Sequence, residues 1–162
     1  IEGRGRSPEY VKVVTRVYRQ AVDAWLNGEW SSEKLEQWNK DLSSVYNRGF
    51  WDGYYLGQKV GEWSKGYGSQ ATTKKTFVGT VTNYFKNIGV AEIKIETGNL
   101  TVGDRIYIMG TTTGVYEDTL EEIRVDLKTT DKAIKGEFCS IPTKSLIRRG
   151  DKVYVIEDII PE

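Results

Sequence analysis

Val78-Gly79-Thr80-Val81, Ile88-Gly89-Val90-Ala91-Glu92-Ile93, Leu100-Thr101-Val102-Gly103-Asp104-Arg105-Ile106 and Arg149-Gly150-Asp151-Lys152-Val153-Tyr154-Val155-Ile156 decide the fold class of this chain. Apolar and polar residues alternate on both sides of each glycine turn, which is the period of a strand with one buried face. The pattern predicts strands over roughly 76–84, 89–96, 105–109, 115–125, 137–141 and 152–157. Gly98-Asn99, Gly110 and Gly114 act as turns, and Lys132-Ala133-Ile134-Lys135-Gly136 reads as a further turn between strands. Short strands with no helix between them point to an antiparallel arrangement, here a small closed β-barrel. Such a barrel is a binding or positioning module, and no catalytic centre is apparent in it.

Working back towards residue 1, the composition changes near residue 70. All five Trp lie before it, at 25, 30, 38, 51 and 63. Ser7 suits a helix N-cap, and Pro8 suits the first helical position, where its missing donor costs nothing. Tyr10, Val14, Val17, Tyr18, Ala21, Val22 and Trp25 then recur at helical spacing, until Asn27-Gly28 supplies a stop. A second helix is expected from Ser31 or Ser32, with Leu35, Trp38, Leu42 and Val45 on one face. Gly49, Gly53, Gly57 and Gly61 follow at intervals of four. Asp52, Lys59 and Glu62 rule out a membrane helix there, and the glycines favour a loop or a short irregular helix. The polar, Gly-rich stretch 64–75 reads as a linker. The expected fold is α+β: a helical segment at 1–70, a link at 71–75 and the barrel at 76–160.

Composition excludes several chemistries. Lys plus Arg and Asp plus Glu each number 23, so the formal net charge is zero. Residues 1–70 hold 10 basic and 9 acidic side chains, and residues 71–162 hold 13 and 14. Bulk charge therefore gives no support to counterion-driven nucleic-acid binding. The chain has no His, so it cannot build a Ser-His-Asp triad, a Cys-His pair or a His-ligated zinc site from its own residues. Cys139 is the single cysteine, which forbids an intrachain disulfide and fits a reducing, cytoplasmic setting. One cysteine also cannot hold an iron–sulfur cluster. Apolar runs fall far short of a membrane span. The sequence opens at Ile1 with neither Met nor a leader pattern, which reads as a piece of a longer chain. Ile1-Glu2-Gly3-Arg4 also spells the linker of a protease-cleaved tag, although cleavage after Arg4 would have removed it.

The motifs Gly79-x-Val81, Leu100-x-Val102-Gly103-Asp104, Ala133-x-x-Gly136 and Arg149-Gly150-Asp151 resemble the second domain of elongation factor Tu and its relatives. A sharper resemblance spans the whole chain. Ile1-Glu2-Gly3-Arg4, Ser7-Pro8-x-Tyr10-Val11 and Tyr18-Arg19 are similar to the late part of the collagenase-like peptidases of family thirty-two, whose mechanism is unclassified. Asn47-Arg48-Gly49-Phe50-x-x-Gly53-x-x-x-Gly57 resembles the segment that follows in that family. Thr80-Val81-Thr82-Asn83-Tyr84-Phe85 through Gly110 resembles its C-terminal barrel. The resemblance implies a parent with a TIM-like barrel, of which Ile1–Gly28 would be a late strand–helix piece. It implies a peptidase, or an enzyme that hydroxylates RNA bases or quinones. Its iron–sulfur cysteines would lie upstream, and the missing N-terminal barrel would be the first partner.

Candidate residues follow from these two readings. Glu2 and Arg4 would sit at a strand end, where TIM-type barrels place function, and would anchor substrate. Asn47 and Arg48 lie in a loop beside aromatics, with Arg suited to bidentate recognition of carboxylate or phosphate. Tyr84, Phe85, Lys86, Tyr107, Arg148 and Arg149 can form an aromatic and basic face for single-stranded RNA. Asp104 and Asp151 each follow a glycine and read as turn caps rather than a hydrolytic pair. Cys139, inside Phe138-Cys139-Ser140-Ile141, reads as a packing residue with no adjacent base. The expected role is an accessory, substrate-positioning portion of a peptidase-family protein acting on peptide or RNA. The alternative is a barrel module that contacts RNA or a translation component. Apolar residues on more than one face of helix 7–27 predict a covered surface or self-association.

Overall fold

The computed structural model describes residues 1–50 and 68–159. They form two compact units, one of residues 1–73 with Ile159 and one of residues 74–158. Gly53, Gly57 and Gly61, and with them the expected loop or short helix, lie outside the described residues.

In the first unit, α1 spans Pro8–Leu26 and α2 spans Ser32–Ser44. Ser7 occupies the N-cap of α1 in extended backbone, but its side chain makes no capping bond. Pro8, with its fixed φ, starts the helix without that help. At the other end Asn27 and Gly28 donate to Asp23 and Trp25, and Gly28 turns the chain at φ +68. Only a residue without a Cβ does this freely. Ser31 caps α2 in full, its Oγ accepting from the Lys34 N–H at 3.2 Å. Val13, Val14, Val17, Ala24, Trp38 and Val45 form the buried core between the helices, with Tyr10, Ala21 and Leu42 packed against it. Leu35 departs from the expected face and is 43% exposed. Trp38, edge-on to Trp30 at 5.2 Å, reaches the core from the expected face. Tyr18, Val22, Trp25 and Leu26 leave an exposed apolar strip on α1.

The second unit is antiparallel sheet. Its strands are β1 (Thr73–Phe85), β2 (Val90–Ile95), β3 (Asn99–Thr101), β4 (Arg105–Gly110), β5 (Gly114–Thr119), β6 (Ile123–Val125), β7 (Lys128–Thr130), β8 (Lys132–Ile134), β9 (Phe138–Pro142) and β10 (Lys152–Asp158). Eight of them pair in the order β5-β4-β10-β1-β2-β9-β6-β7, and β3 pairs with β8. Among the described residues no ladder joins β5 to β7, so the expected closed barrel is not drawn by strand pairing. One core nevertheless takes residues from every strand except β7, including Val81, Ile93, Leu100, Ile106, Tyr116, Ile123, Ala133, Ile141 and Val153.

Two strand expectations need correction. The run 115–125 is broken at Leu120-Glu121-Glu122, because Leu120 turns inward, exchanging backbone bonds with Gly103 and Asp104 at 2.7 and 2.9 Å. The expected turn at Lys132–Gly136 contains β8, whose Ala133 is wholly buried opposite Leu100. β1 begins at Thr73, within the stretch read as a link.

Asp104 Oδ2 accepts from the Thr101 N–H at 2.8 Å, capping its turn. Cys139 is buried on β9, and burial pushes its thiol up to about 12. A thiol held protonated and out of reach is inert. A thiol reagent such as Ellman's is expected to leave the native chain unlabelled at pH 8 and to titrate one thiol in guanidinium. Prompt native labelling contradicts this packing.

Candidate functional site

The start of the chain folds into a tight turn before α1. Glu2 Oε1 accepts from the N–H groups of Arg4 and Gly5 at 2.5 and 3.1 Å, and these bonds, that to Gly5 first, lower its carboxyl pKa. The end of α2 leads into a second bend. There the Asn47 amide donates to the Ser43 and Val45 carbonyls at 3.3 and 3.0 Å, and Asn47 Oδ1 accepts from the Gly49 N–H at 3.1 Å. Gly49 adopts φ +90, a conformation that suits glycine. The two bends and the facing sides of α1 and α2 line an open cavity of about 350 Å3.

Glu2, Asn47 and Arg48 all line this cavity, beside Arg6, Tyr46 and Phe50. Val14 and Leu42 supply apolar wall, with Tyr10 and Tyr18 alongside. The Arg6 guanidinium lies over the Tyr46 ring, 3.8 Å from its centre. Arg48 Nε donates to Tyr46 Oη at 2.8 Å. That bond, with the nearby Arg48 and Arg6 charges, lowers the Tyr46 phenol pKa. Two guanidiniums therefore grip one phenol, from its face and from its oxygen. A phenol that accepts from a cation is a stronger donor in turn. The arrangement offers N–H and O–H donors to an anion, over an apolar floor.

Arg4 contributes its backbone N–H to the Glu2 turn but is not part of the cavity lining. Arg6 and Tyr46 were not singled out from sequence. Their signals were adjacency: Arg6 two residues after Arg4, and Tyr46 directly before Asn47-Arg48.

The residues expected on an RNA face are differently engaged. Tyr107 is buried, 8% exposed, because β4 lies between β5 and β10. Tyr84 packs against the sheet core and donates to the Ser145 carbonyl at 3.3 Å. Arg148 donates through its backbone N–H to Asp151 at 2.9 Å and through Nη1 to Thr113 at 3.3 Å. Phe85, Lys86 and Arg149 are exposed. Phe85 lines a second cavity of about 440 Å3 with Ile88, Val90, Leu127 and Ile141.

Among the described residues no group of three or more His, Cys, Asp or Glu is placed to hold a metal ion. A lone buried cysteine does not fit an iron–sulfur cluster, which needs several thiolates. No helix among the described residues is long and apolar enough to cross a membrane.

Comparison with known proteins reaches from the first residues across most of the chain. Residues 1–65 match the model of peptidase family U32. A collagenase of Porphyromonas gingivalis is 52% identical over 154 residues, which is 95% of this chain and 43% of the relative. An uncharacterized protease of Methanocaldococcus jannaschii is 35% identical over 99% of this chain and 40% of its own length. A tRNA hydroxylation protein of Bacillus subtilis is 29% identical over 76% of this chain and 29% of its own. The chain thus spans less than half the length of each of these relatives. The first 65 residues thus carry the match to peptidase family U32, and similarity to a collagenase is sustained at 52% identity over 95% of the chain.

Proposed function

We propose that this chain is the substrate-positioning portion of a U32-family protein. In this reading the cavity of the first unit receives a substrate group. The second unit is a small curled β-barrel that serves as a binding module. The observation that carries the reading is the cavity itself. It gathers Glu2, Asn47 and Arg48 inside the family segment with guanidinium and phenol donors, and its lining contains no nucleophile–base pair. A single core fed by nearly every strand supports the curled sheet. Bond cleavage would fall to a part of a longer protein. Any iron–sulfur centre would need cysteines other than Cys139. The exposed strip Tyr18, Val22, Trp25 and Leu26 is the surface such a part, or a second copy, would cover.

The test is direct. Purified chain incubated with gelatin or casein peptides is expected to retain peptide and to leave its bonds intact. Hydrolysis that survives purification and co-elutes with the chain contradicts a positioning role.

A second reading assigns RNA to the β unit. Phe85, Lys86 and Arg149 are the exposed candidates for it, and the Bacillus relative's name supplies the motive. Under that reading, oligonucleotide binding weakens when Lys86 and Arg149 are replaced by Ala.

A further inference from the structure

We propose that the cavity between α1 and α2 is a carboxylate site, and that its occupant is the C-terminal residue of a peptide bearing an apolar or aromatic side chain. The inference rests on the positioning role proposed above. It commits that role to one chemical group.

Charge comes first. Arg6 and Arg48 line the cavity with one carboxylate, Glu2, whose Oε1 is already held by two backbone N–H groups. Cationic donors beside a carboxylate that is already satisfied suit a small anion. A polyanion backbone asks for a track of cations, and this lining holds only Arg6 and Arg48.

Geometry comes second. Arg6 lies over the Tyr46 ring, 3.8 Å from its centre, and a guanidinium is the fork that matches a carboxylate. Tyr46 Oη accepts from Arg48 Nε at 2.8 Å, so the phenol's own hydrogen is left to donate to the second carboxylate oxygen. Arg48 acts here as a positioning residue that holds and polarises the phenol.

The wall comes third. Val14, Leu42 and Phe50 give the same cavity an apolar side. Binding sites that fix an orientation pair a few polar groups with such a surface. A chain end with an apolar side chain fills both parts, whereas inorganic anions fill only one.

The experiment is an NMR titration of the 15N-labelled chain. The probes are a hexapeptide ending in Phe, the same peptide as its C-terminal amide, N-acetylphenylalanine and a hexauridine oligonucleotide. The free-acid peptide is expected to bind at least tenfold more tightly than the amide, and to shift the Arg6 and Arg48 Nε–H signals. It should also bind more tightly than N-acetylphenylalanine, a result that assigns the site to a peptide end rather than to any small carboxylate. Tyr46→Phe keeps the ring under Arg6 and removes the hydroxyl. It is expected to weaken the acid about tenfold with no change for the amide and no change in thermal unfolding. Arg6→Gln is a second variant with the same expected signature. Equal binding of acid and amide overturns the carboxylate assignment while leaving a positioning role standing. Oligonucleotide binding at Arg6 and Tyr46 without peptide binding replaces it with an RNA site. No binding by any probe overturns both.

Discussion

Asp151→Ala is expected to cost the 74–158 unit about 3 kcal/mol of stability, since a buried carboxylate that accepts two hydrogen bonds is lost and its donors are stranded. Asp151 is 6% exposed. Its Oδ2 accepts from the Arg148 N–H at 2.9 Å and from Thr113 Oγ1 at 2.6 Å. Its main chain bonds the same region, with the carbonyl accepting from Val81 at 2.9 Å. One residue therefore ties together the 148–151 turn, the β4–β5 hairpin and β1. Gly110 makes the room: a Cβ there would stand 1.8 Å from Asp151 Oδ1. Urea unfolding followed by circular dichroism measures the loss. Asp151→Asn, which keeps an acceptor, should lose less. Equal stability of Asp151→Ala and the parent chain would show that the carboxylate is not a hub.

Gly79→Ala is expected to be at least as damaging. Gly79 pairs with Ile95 on β2, and an added Cβ would meet the Lys94 carbonyl oxygen at 2.2 Å. That oxygen belongs to backbone held on the next strand, so it cannot swing aside as a flexible side chain would. β1 and β2 must separate, and overpacking of this kind costs about 3 kcal/mol. Val78 and Val81, buried on either side of Gly79, would be dragged from the core. A fall in the thermal midpoint of the β unit, with the 1–50 helical signal retained, is the expected outcome. Gly103→Ala is the control. Its site is open, so it carries only the cost of a φ of +95.

The sequence read well wherever the signal was local. Ser7-Pro8 and Asn27-Gly28 marked both ends of α1 because helix ends depend on a few adjacent residues. The β alternation around Val81, Ile93, Ile106 and Val153 was legible because period two repeats along each strand. The failures were non-local or too short. Lys132-Ala133-Ile134 offers a single buried residue, and only pairing with β3 makes it a strand. The break at Leu120 depends on Gly103 and Asp104, many residues away along the chain. Closure of the barrel is a separate matter, neither drawn nor excluded by the pairing among the described residues, because it depends on which edges meet and alternation carries no information on that.

The candidate site divides in the same way. Asn47-Arg48 stood out as an Arg in an aromatic loop, and Glu2 through the family resemblance. Arg6 and Tyr46 gained meaning only when two bends, some forty residues apart, brought a guanidinium over a phenol. Within the expected RNA face, the burial of Tyr107 was not legible, because alternation does not say which side of β4 is covered.

In the proposed role, residues 1–50 recognise substrate and do not cut it. One NMR titration of the labelled chain with gelatin-derived peptides, with the peptide signals followed for a day, decides between recognition and cleavage. Saturable shifts at Arg6, Tyr46 and Arg48 are expected while the peptide spectrum stays that of the intact substrate. New peptide termini appearing with time, or saturable binding that leaves those three residues unmoved, would contradict that role.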